Sequence, residues 1–137
     1  MFKNILVGLD FGDTSDAVFQ KAVSLARSIG AKLTLLGVLI PVEERSVYEG
    51  SYREYELKEL DRLKGFAQKA QAVGIDAEVV QVAGSTGWAI CEQAKTADVD
   101  LLMVGSHGRM GLSEMLLGSV SNYVMHHADC SVLVVHE

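Results

Sequence analysis

The densest run of glycines in the chain, GSHGRMG at residues 105–111, follows a short apolar segment. Glycine has no Cβ, so such a backbone can bend sharply and bring its N–H groups close to a ligand. Clustered N–H groups form a concavity that binds anions. Further on, Gly118 and Ser119 open a segment with helical character, and a helix N-terminus adds N–H donors and a positive dipole end. This pattern indicates phosphate binding, to which the hydroxyls of Ser119 and Ser121 could contribute.

Alternative interpretations of these residues stay open. The pattern matches neither GxxxxGK[ST] nor a GxGxxG after the first strand, so the glycines could serve only as turns and caps. Ser106-His107 invites a hydrolase interpretation, but a nucleophile elbow needs GxSxG and the chain has GSHG. His126 and Cys130 stand four residues apart, as a metal pair would, yet two further ligands are missing. A helix C-terminus that favours histidine is the simpler explanation for His126 and His127.

The elements that must position these residues alternate regularly along the chain. Short apolar or alternating runs predict strands at 4–9, 32–40, 75–82, 100–104 and 131–135. Helical spacing of apolar residues predicts helices at 17–29, 55–73, 88–96 and 119–127. Gly30 and Gly74 stand where two of the helices should end. Residues 42–53 are polar and irregular, which predicts a loop.

This order predicts one domain over residues 1–137, with an α/β fold: an open, doubly wound, parallel five-stranded sheet with helices on both faces, Rossmann-like. If strands two and three lie on one side of strand one, strand four begins the other side, and the strand order is 3-2-1-4-5. Ligands of such sheets bind beyond the carboxyl ends of the strands, where the order reverses. The loops after strands one and four meet there, and the second of them is the glycine-rich loop.

Composition excludes several classes of partner. The net charge is -6, without the basic surface that nucleic-acid binding needs. Apolar residues make up 49% and charged residues 22%, as in a folded globule, and no apolar run approaches the roughly 20 residues that cross a membrane. The opening residues lack a signal-peptide h-region, which predicts a cytoplasmic protein. Cys91 and Cys130 have no CxxC spacing and are interpreted as free buried thiols, with a disulfide between them left open.

The glycine spacing resembles that of a known family. Gly105-x2-Gly108-x9-Gly118-Ser119 fits the G-x2-G-x9-G-[ST] pattern of ATP-binding universal stress proteins. NILVGLD near the start, LLGSVSNYV after the glycine loop and SVLVV near the end are also similar to the family, so the resemblance covers almost the whole chain.

The resemblance implies a nucleotide site with two ends. At the nucleoside end, Asp10 would lie near the nucleoside and Val38 would offer backbone groups to the adenine edge. At the phosphate end, the implied residues are Gly105, His107, Gly108 and Arg109 along the ribose and phosphates, and Gly118, Ser119, Val120 and Ser121 around the phosphates. The implied cofactor is ATP or another adenine nucleotide, with Mg or Mn as the counter-ion because only Arg109 in this loop carries a full positive charge. Gly37 departs from the family, where His is frequent.

Three functions follow from this resemblance. The first is a nucleotide-dependent regulator in stress response, without a catalytic residue of its own. The second is a slow ATPase or phosphotransferase, for which no residue at a fixed spacing marks a base. The third is a dimeric scaffold without nucleotide. The family commonly forms homodimers through the last strand, here 131–135, which would otherwise be an unpaired edge.

Overall fold

The computed structural model describes residues 1–10, 15–40, 51–106 and 118–136. The elements alternate along the chain, as the apolar pattern predicts. In order they are β1 (Asn4–Gly8), α1 (Ser15–Ile29), β2 (Lys32–Leu39), α2 (Tyr52–Ala72), β3 (Ala77–Ala83), α3 (Thr86–Thr96), β4 (Leu101–Gly105), α4 (Ser119–His127) and β5 (Ser131–Val135).

The five strands of the described residues form one sheet in the order β3-β2-β1-β4-β5, and every pairing between them is parallel. The predicted strand order 3-2-1-4-5 is therefore confirmed. The order reverses between β1 and β4, which lie side by side in the centre of the sheet. Because all strands run the same way, the carboxyl ends of β1, β2 and β4 share one edge.

The sheet is covered on both faces. On one face, Val7, Leu35 and Met103 of the central strands pack in a cluster with α1 and α2, through side chains such as Phe19 and Leu63. On the other face, alternate strand residues meet α3 and α4, and this second cluster contains Leu6, Leu36, Leu102, Val104, Ile90 and Val124. Burial on both faces explains why the central strands are continuous apolar runs rather than alternating ones.

Two glycines end helices as expected. Gly30 and Gly74 have φ angles of 71° and 86°, in the left-handed region that residues with a Cβ rarely adopt. Gly30 directly follows α1, and Gly74 comes after Val73, the residue that caps the end of α2. These positions confirm the stop signals in the sequence.

Several predicted boundaries were wrong by a few residues. The strand predicted at 100–104 is β4, which ends one residue later, so Gly105 belongs to the strand rather than to the loop. The helix predicted from residue 55 begins at Tyr52, because the Ser51 side chain accepts a hydrogen bond from the Glu54 N–H at 3.0 Å and caps the helix. The rest of the loop predicted at 42–53 lies mostly outside the described residues. Within the described ranges, no helix combines the length and apolar character needed to span a membrane.

Candidate functional site

Three strand ends meet at the carboxyl edge of the sheet. Gly8 pairs with Leu36 on one side of β1, and Val7 pairs with Met103 on the other. Continued beyond these pairs, the register brings Asp10 level with residue 38 of β2 and residue 106 after β4. The topological switch point is thus bordered by Asp10, Val38 and Ser106.

Ser106 connects the end of β4 to the start of α4. Its carbonyl oxygen accepts hydrogen bonds from the Gly118 N–H at 2.6 Å and from the Ser121 hydroxyl at 3.2 Å. Its own N–H donates to the Val135 carbonyl at 2.9 Å, at the end of β5. Ser106 is buried. We call this arrangement the Ser106 clasp; it holds the N-terminus of α4 at the end of β4.

The clasp leaves a group of N–H donors at the head of α4. The first hydrogen bond within the helix runs from the Asn122 N–H to the Gly118 carbonyl at 3.0 Å. The N–H groups of Ser119, Val120 and Ser121 precede it and have no acceptor within the helix. Gly118, the N-cap, has no side chain that could satisfy them. These donors and the positive end of the helix dipole suit an anion.

The Ser121 side chain takes part in the clasp. Its hydroxyl lies 3.2 Å from the Ser106 carbonyl oxygen and 3.0 Å from the Gly118 carbonyl oxygen, and the residue is only 1% exposed. Because a hydroxyl has one hydrogen to donate, these carbonyls occupy it. What Ser121 can offer a ligand is its backbone N–H, whereas the Ser119 side chain is exposed.

The backbone of Val38 is directed toward the switch point. The Leu36 carbonyl accepts from the Leu9 N–H at 2.9 Å on the β1 side, and the Leu39 carbonyl accepts from the Gly84 N–H at 3.0 Å on the β3 side. Backbone groups of successive strand residues alternate between the two sides, so those of Val38 point to the β1 side. There β1 has ended, and the N–H and C=O of Val38 can meet a ligand.

Gly37, the departure from the family pattern, has a packing role. A Cβ at Gly37 would lie 2.7 Å from Cδ1 of Leu63, a fully buried side chain of α2. Leu63 therefore occupies the space that a side chain at position 37 would need. This contact is on the α2 face of the sheet, so a glycine here brings α2 close to the strand beside Val38.

Asp10 places a carboxylate at the same edge. Its Oδ1 accepts a hydrogen bond from the Ser15 hydroxyl at 3.4 Å, and Ser15 is the first residue of α1. A carboxylate in this position can accept hydrogen bonds from sugar hydroxyls or bind a divalent cation.

The structure brings most of the predicted site residues to one edge of the sheet. Those found there are Asp10, Val38, Gly105, Gly118, Ser119, Val120 and Ser121. His107, Gly108 and Arg109 lie outside the described residues. The roles of all ten toward a nucleotide stay predictions.

Sequence reasoning missed two residues that shape this edge. The Ser106 carbonyl organises the clasp, but a backbone acceptor leaves no signal in the residue type. The Tyr55 hydroxyl accepts a hydrogen bond from the Ile40 N–H at 3.1 Å, just beyond β2. A tyrosine at an apolar position near the predicted start of a helix was the available signal, because a buried hydroxyl usually has a partner.

His127, near the end of α4, makes contacts within its own helix. Nδ1 of His127 lies 2.8 Å from the Tyr123 carbonyl oxygen, and the two rings stack. No group of three potential metal ligands occurs in the described part of the chain.

Cys91 and Cys130 are free thiols. Burial is the main cause that raises the pKa of both, which reduces their reactivity at neutral pH.

The sheet order, the helices on both faces and the switch point define a Rossmann-like α/β protein. Within that class, the model of the universal stress protein family matches residues 1–136. The chain belongs to the universal stress protein family.

Individual relatives agree with this assignment. Universal stress protein YxiE of Bacillus subtilis is 34% identical over 148 residues, an alignment that covers 98% of this chain and 99% of YxiE. Among solved structures, hypothetical protein MJ0577 has a TM-score of 0.84 at 28% identity, covering 100% of this chain and 97% of its own. A universal stress protein solved in complex with cAMP has a TM-score of 0.76 at 28% identity, covering 98% and 97%.

Proposed function

We propose that this chain is an ATP-binding universal stress protein that works as one domain and as a nucleotide-dependent regulator in stress response. The observation that carries the proposal is the group of N–H donors at the N-terminus of α4. Its first N–H groups, from Ser119 to Ser121, have no acceptor within the helix, and the Ser106 clasp holds them beside the end of β4. Phosphate groups are well suited to such a set of donors.

The base would bind at the other end of the same edge. The N–H and C=O of Val38 point to the space above the end of β1, and together they offer one donor and one acceptor. Adenine presents the complementary pair, an amino donor next to a ring nitrogen acceptor. Asp10 lies between the two ends, where the ribose hydroxyls of a bound nucleotide would come. A related protein of 28% identity was solved with cAMP, which supports an adenine nucleotide as the ligand.

ATP is proposed over shorter nucleotides because the glycine spacing of Gly105, Gly108, Gly118 and Ser119 is the one that family members with ATP carry. The net charge of the chain is -6, so a triphosphate brings more negative charge to an acidic protein. Mg or Mn bound with the triphosphate would neutralise it. Chelation of the divalent ion should therefore weaken binding of ATP more than binding of AMP.

The binding test removes one N–H donor without disturbing the helix. Ser119 is the first residue of α4, and Gly118 before it has φ -65° and ψ 159°, a conformation compatible with a following proline. Ser119→Pro should keep the fold and weaken ATP binding about tenfold or more, because a hydrogen bond to a charged phosphate is lost. Isothermal titration calorimetry measures this directly.

Thr86→Pro is the matched control. Thr86 is the first residue of α3, and its N-cap Ser85 has φ -70° and ψ 127°, which also suits a following proline. This variant should bind ATP as the wild type does. If the wild type shows neither heat of binding nor a thermal shift with millimolar ATP and Mg, the proposed function is wrong.

We also propose a cytoplasmic homodimer joined through β5. This strand pairs with β4 on one side, and no described strand pairs with its other side. Leu133 in its middle is 41% exposed. An unpaired edge with an apolar side chain favours pairing with a second copy.

Leu133→Asp tests the dimer by sedimentation. The wild type should sediment with twice the mass of the chain, and the variant should shift toward the monomer. Leu57→Asp is the control, since Leu57 is 48% exposed on α2, a helix that packs on β2 and β3 at the other side of the sheet from β5. A monomeric wild type would rule out the dimer.

A further inference from the structure

The end of β2 is held by hydrogen bonds from two neighbouring elements. On the β3 side, the Leu39 carbonyl accepts from the Gly84 N–H at 3.0 Å. On the helix side, the Ile40 N–H donates to the Tyr55 hydroxyl at 3.1 Å. The second bond is the unusual one, because a side chain of α2 replaces the strand partner that β1 no longer supplies. Both bonds lie within two residues of Val38.

Tyr55 is itself firmly placed. It is only 3% exposed and lies in the first turn of α2. Its N–H donates to the Ser51 carbonyl at 3.1 Å, and Ser51 also caps the helix through its side chain. Its ring meets that of Tyr52 edge-on, with centroids 5.7 Å apart. A buried tyrosine on a capped helix is a fixed point from which a strand end can be held.

We propose that Tyr55 is a positioning residue for the nucleotide base, acting through the Ile40 N–H to hold the backbone of Val38 in place. The proposal rests on the proposed nucleotide function and deepens it. Tyr55 does not touch the base in this account; it fixes the N–H and C=O that do. Hydrogen bonds weaken steeply with misalignment, so a strand end that frays loses both contacts with the base together.

The two ends of the nucleotide would bind to different parts of the protein. The phosphates would bind at α4, which the Ser106 clasp holds independently of Tyr55. The base would bind at Val38. Loss of the Tyr55 hydroxyl should therefore weaken ligands that contain adenine and leave phosphate-only ligands unaffected.

The test compares ATP with inorganic tripolyphosphate on Tyr55→Phe. The variant keeps the buried ring and removes only the hydroxyl. We expect its Kd for ATP to rise about threefold to tenfold, because the hydrogen bond that holds the backbone beside Val38 is lost. Its Kd for tripolyphosphate should stay unchanged. Amide hydrogen exchange gives a second readout that needs no ligand: the Ile40 N–H should exchange faster in the variant.

Tyr123→Phe is the matched control. Tyr123 lies on α4, on the opposite face of the sheet from α2, and its ring stacks on His127, so the substitution removes an equivalent hydroxyl from the other face. This variant should leave both the ATP affinity and the exchange of the Ile40 amide unchanged.

The outcomes are distinct. Equal ATP affinity in the wild type and Tyr55→Phe would overturn the positioning role. Equal loss of affinity for ATP and tripolyphosphate would also overturn it, because it would indicate that the whole protein had become less ordered. Unchanged exchange at Ile40 would also overturn it. If the wild-type protein binds ATP no more tightly than tripolyphosphate, both the positioning role and the adenine site are wrong, while the proposed anion site is retained. If the wild type binds neither, the proposed function fails as a whole.

Discussion

At the scale of single residues, Ser121 shows how a polar side chain beside a predicted ligand can serve the fold instead. Its buried hydroxyl bonds within the protein, to the Ser106 and Gly118 carbonyls. Both carbonyls also accept a backbone N–H, so removal of the hydroxyl leaves neither acceptor without a partner.

Ser121→Ala should lower the free energy of unfolding by about 1 kcal/mol, the typical net value of one hydrogen bond. Ser119→Ala, at an exposed position two residues earlier, should change it by less than about 0.5 kcal/mol. Urea unfolding of the two variants measures the difference. A Ser121→Ala variant that is fully stable but binds ATP poorly would contradict the clasp and favour a direct role for the hydroxyl.

The residues that sequence reasoning found and missed differ in kind. Gly118 and Ser119 were predictable because a glycine spacing and a helix start are local features. Tyr55 and the Ser106 carbonyl were not, because their partners Ile40 and Gly118 depend on how distant segments pack. The hydroxyl of Ser121 was one of two that could contribute to phosphate binding, and only the packed structure reveals its carbonyl partners.

At the scale of elements, the close approach of α3 and α4 depends on Gly87. A Cβ at this position would lie 2.8 Å from Cδ1 and 2.9 Å from Cγ of Tyr123 on α4. The Tyr123 ring also stacks on His127, so it has little room to move. The contact sets where α4 lies, and with it the N–H groups at its head.

Gly87→Ala should therefore destabilise the protein by about 1–3 kcal/mol, as overpacking does, although alanine favours helix over glycine. Gly65→Ala is the matched control, because Gly65 lies within α2 and a Cβ there would meet nothing within 4 Å. That variant should gain about 0.5–1 kcal/mol from helix propensity alone. Chemical denaturation compares the two, and a gain at both positions would contradict the described packing of α3 on α4.

The start of β1 is held by a carboxylate. Asp100, just before β4, accepts hydrogen bonds from the Lys3 N–H at 2.8 Å and the Asn4 N–H at 3.0 Å. Burial acts to raise the pKa of Asp100, but these backbone donors outweigh it and the pKa lies below its ordinary value. A lowered pKa means that the charged form stabilises the fold. This contribution is complete above the ordinary pKa and is lost as the pH falls through the folded-state value.

Asp100→Ala should lower the free energy of unfolding by about 1 kcal/mol at pH 7. The loss is smaller than for a buried charged pair, because solvent screens this site. The difference from wild type should shrink as the pH falls below about 4. Asp76→Ala is the control, since its exposed side chain makes no hydrogen bond to the described residues and its carbonyl bond to Leu33 is retained. Thermal unfolding from pH 3 to pH 7 tests this; a difference that grows toward low pH would contradict the assignment.

Element order was readable from the sequence, and element boundaries were less so. Gly30 and Gly74 marked helix ends because a left-handed residue there favours glycine. The start of α2 was predicted three residues late, because residues 52–54 are polar and do not extend the apolar pattern of the helix. The cap that begins the helix depends on a single hydroxyl, that of Ser51. Strand ends depend on the neighbouring strand, so the last residue of β4, Gly105, could not be assigned from its own type.

At the scale of the whole molecule, the fold could be predicted because each of the first four strands is followed by an amphipathic helix. Right-handed crossovers then leave few arrangements, and the order with β1 and β4 in the centre is one of them. How copies assemble could not be derived in the same way, since an exposed Leu133 on β5 is compatible with an edge or an interface.

We propose that the carboxyl edge of the sheet binds a nucleotide, with its phosphates at the N-terminus of α4 and its base at Val38. A crystal structure of the protein grown with ATP and Mg tests it most directly. We expect density for phosphate oxygens within hydrogen-bond distance of the Ser119 and Val120 N–H groups, and for the adenine edge on the backbone of Val38. A nucleotide bound elsewhere on the protein, or one whose phosphates point away from α4, would contradict it.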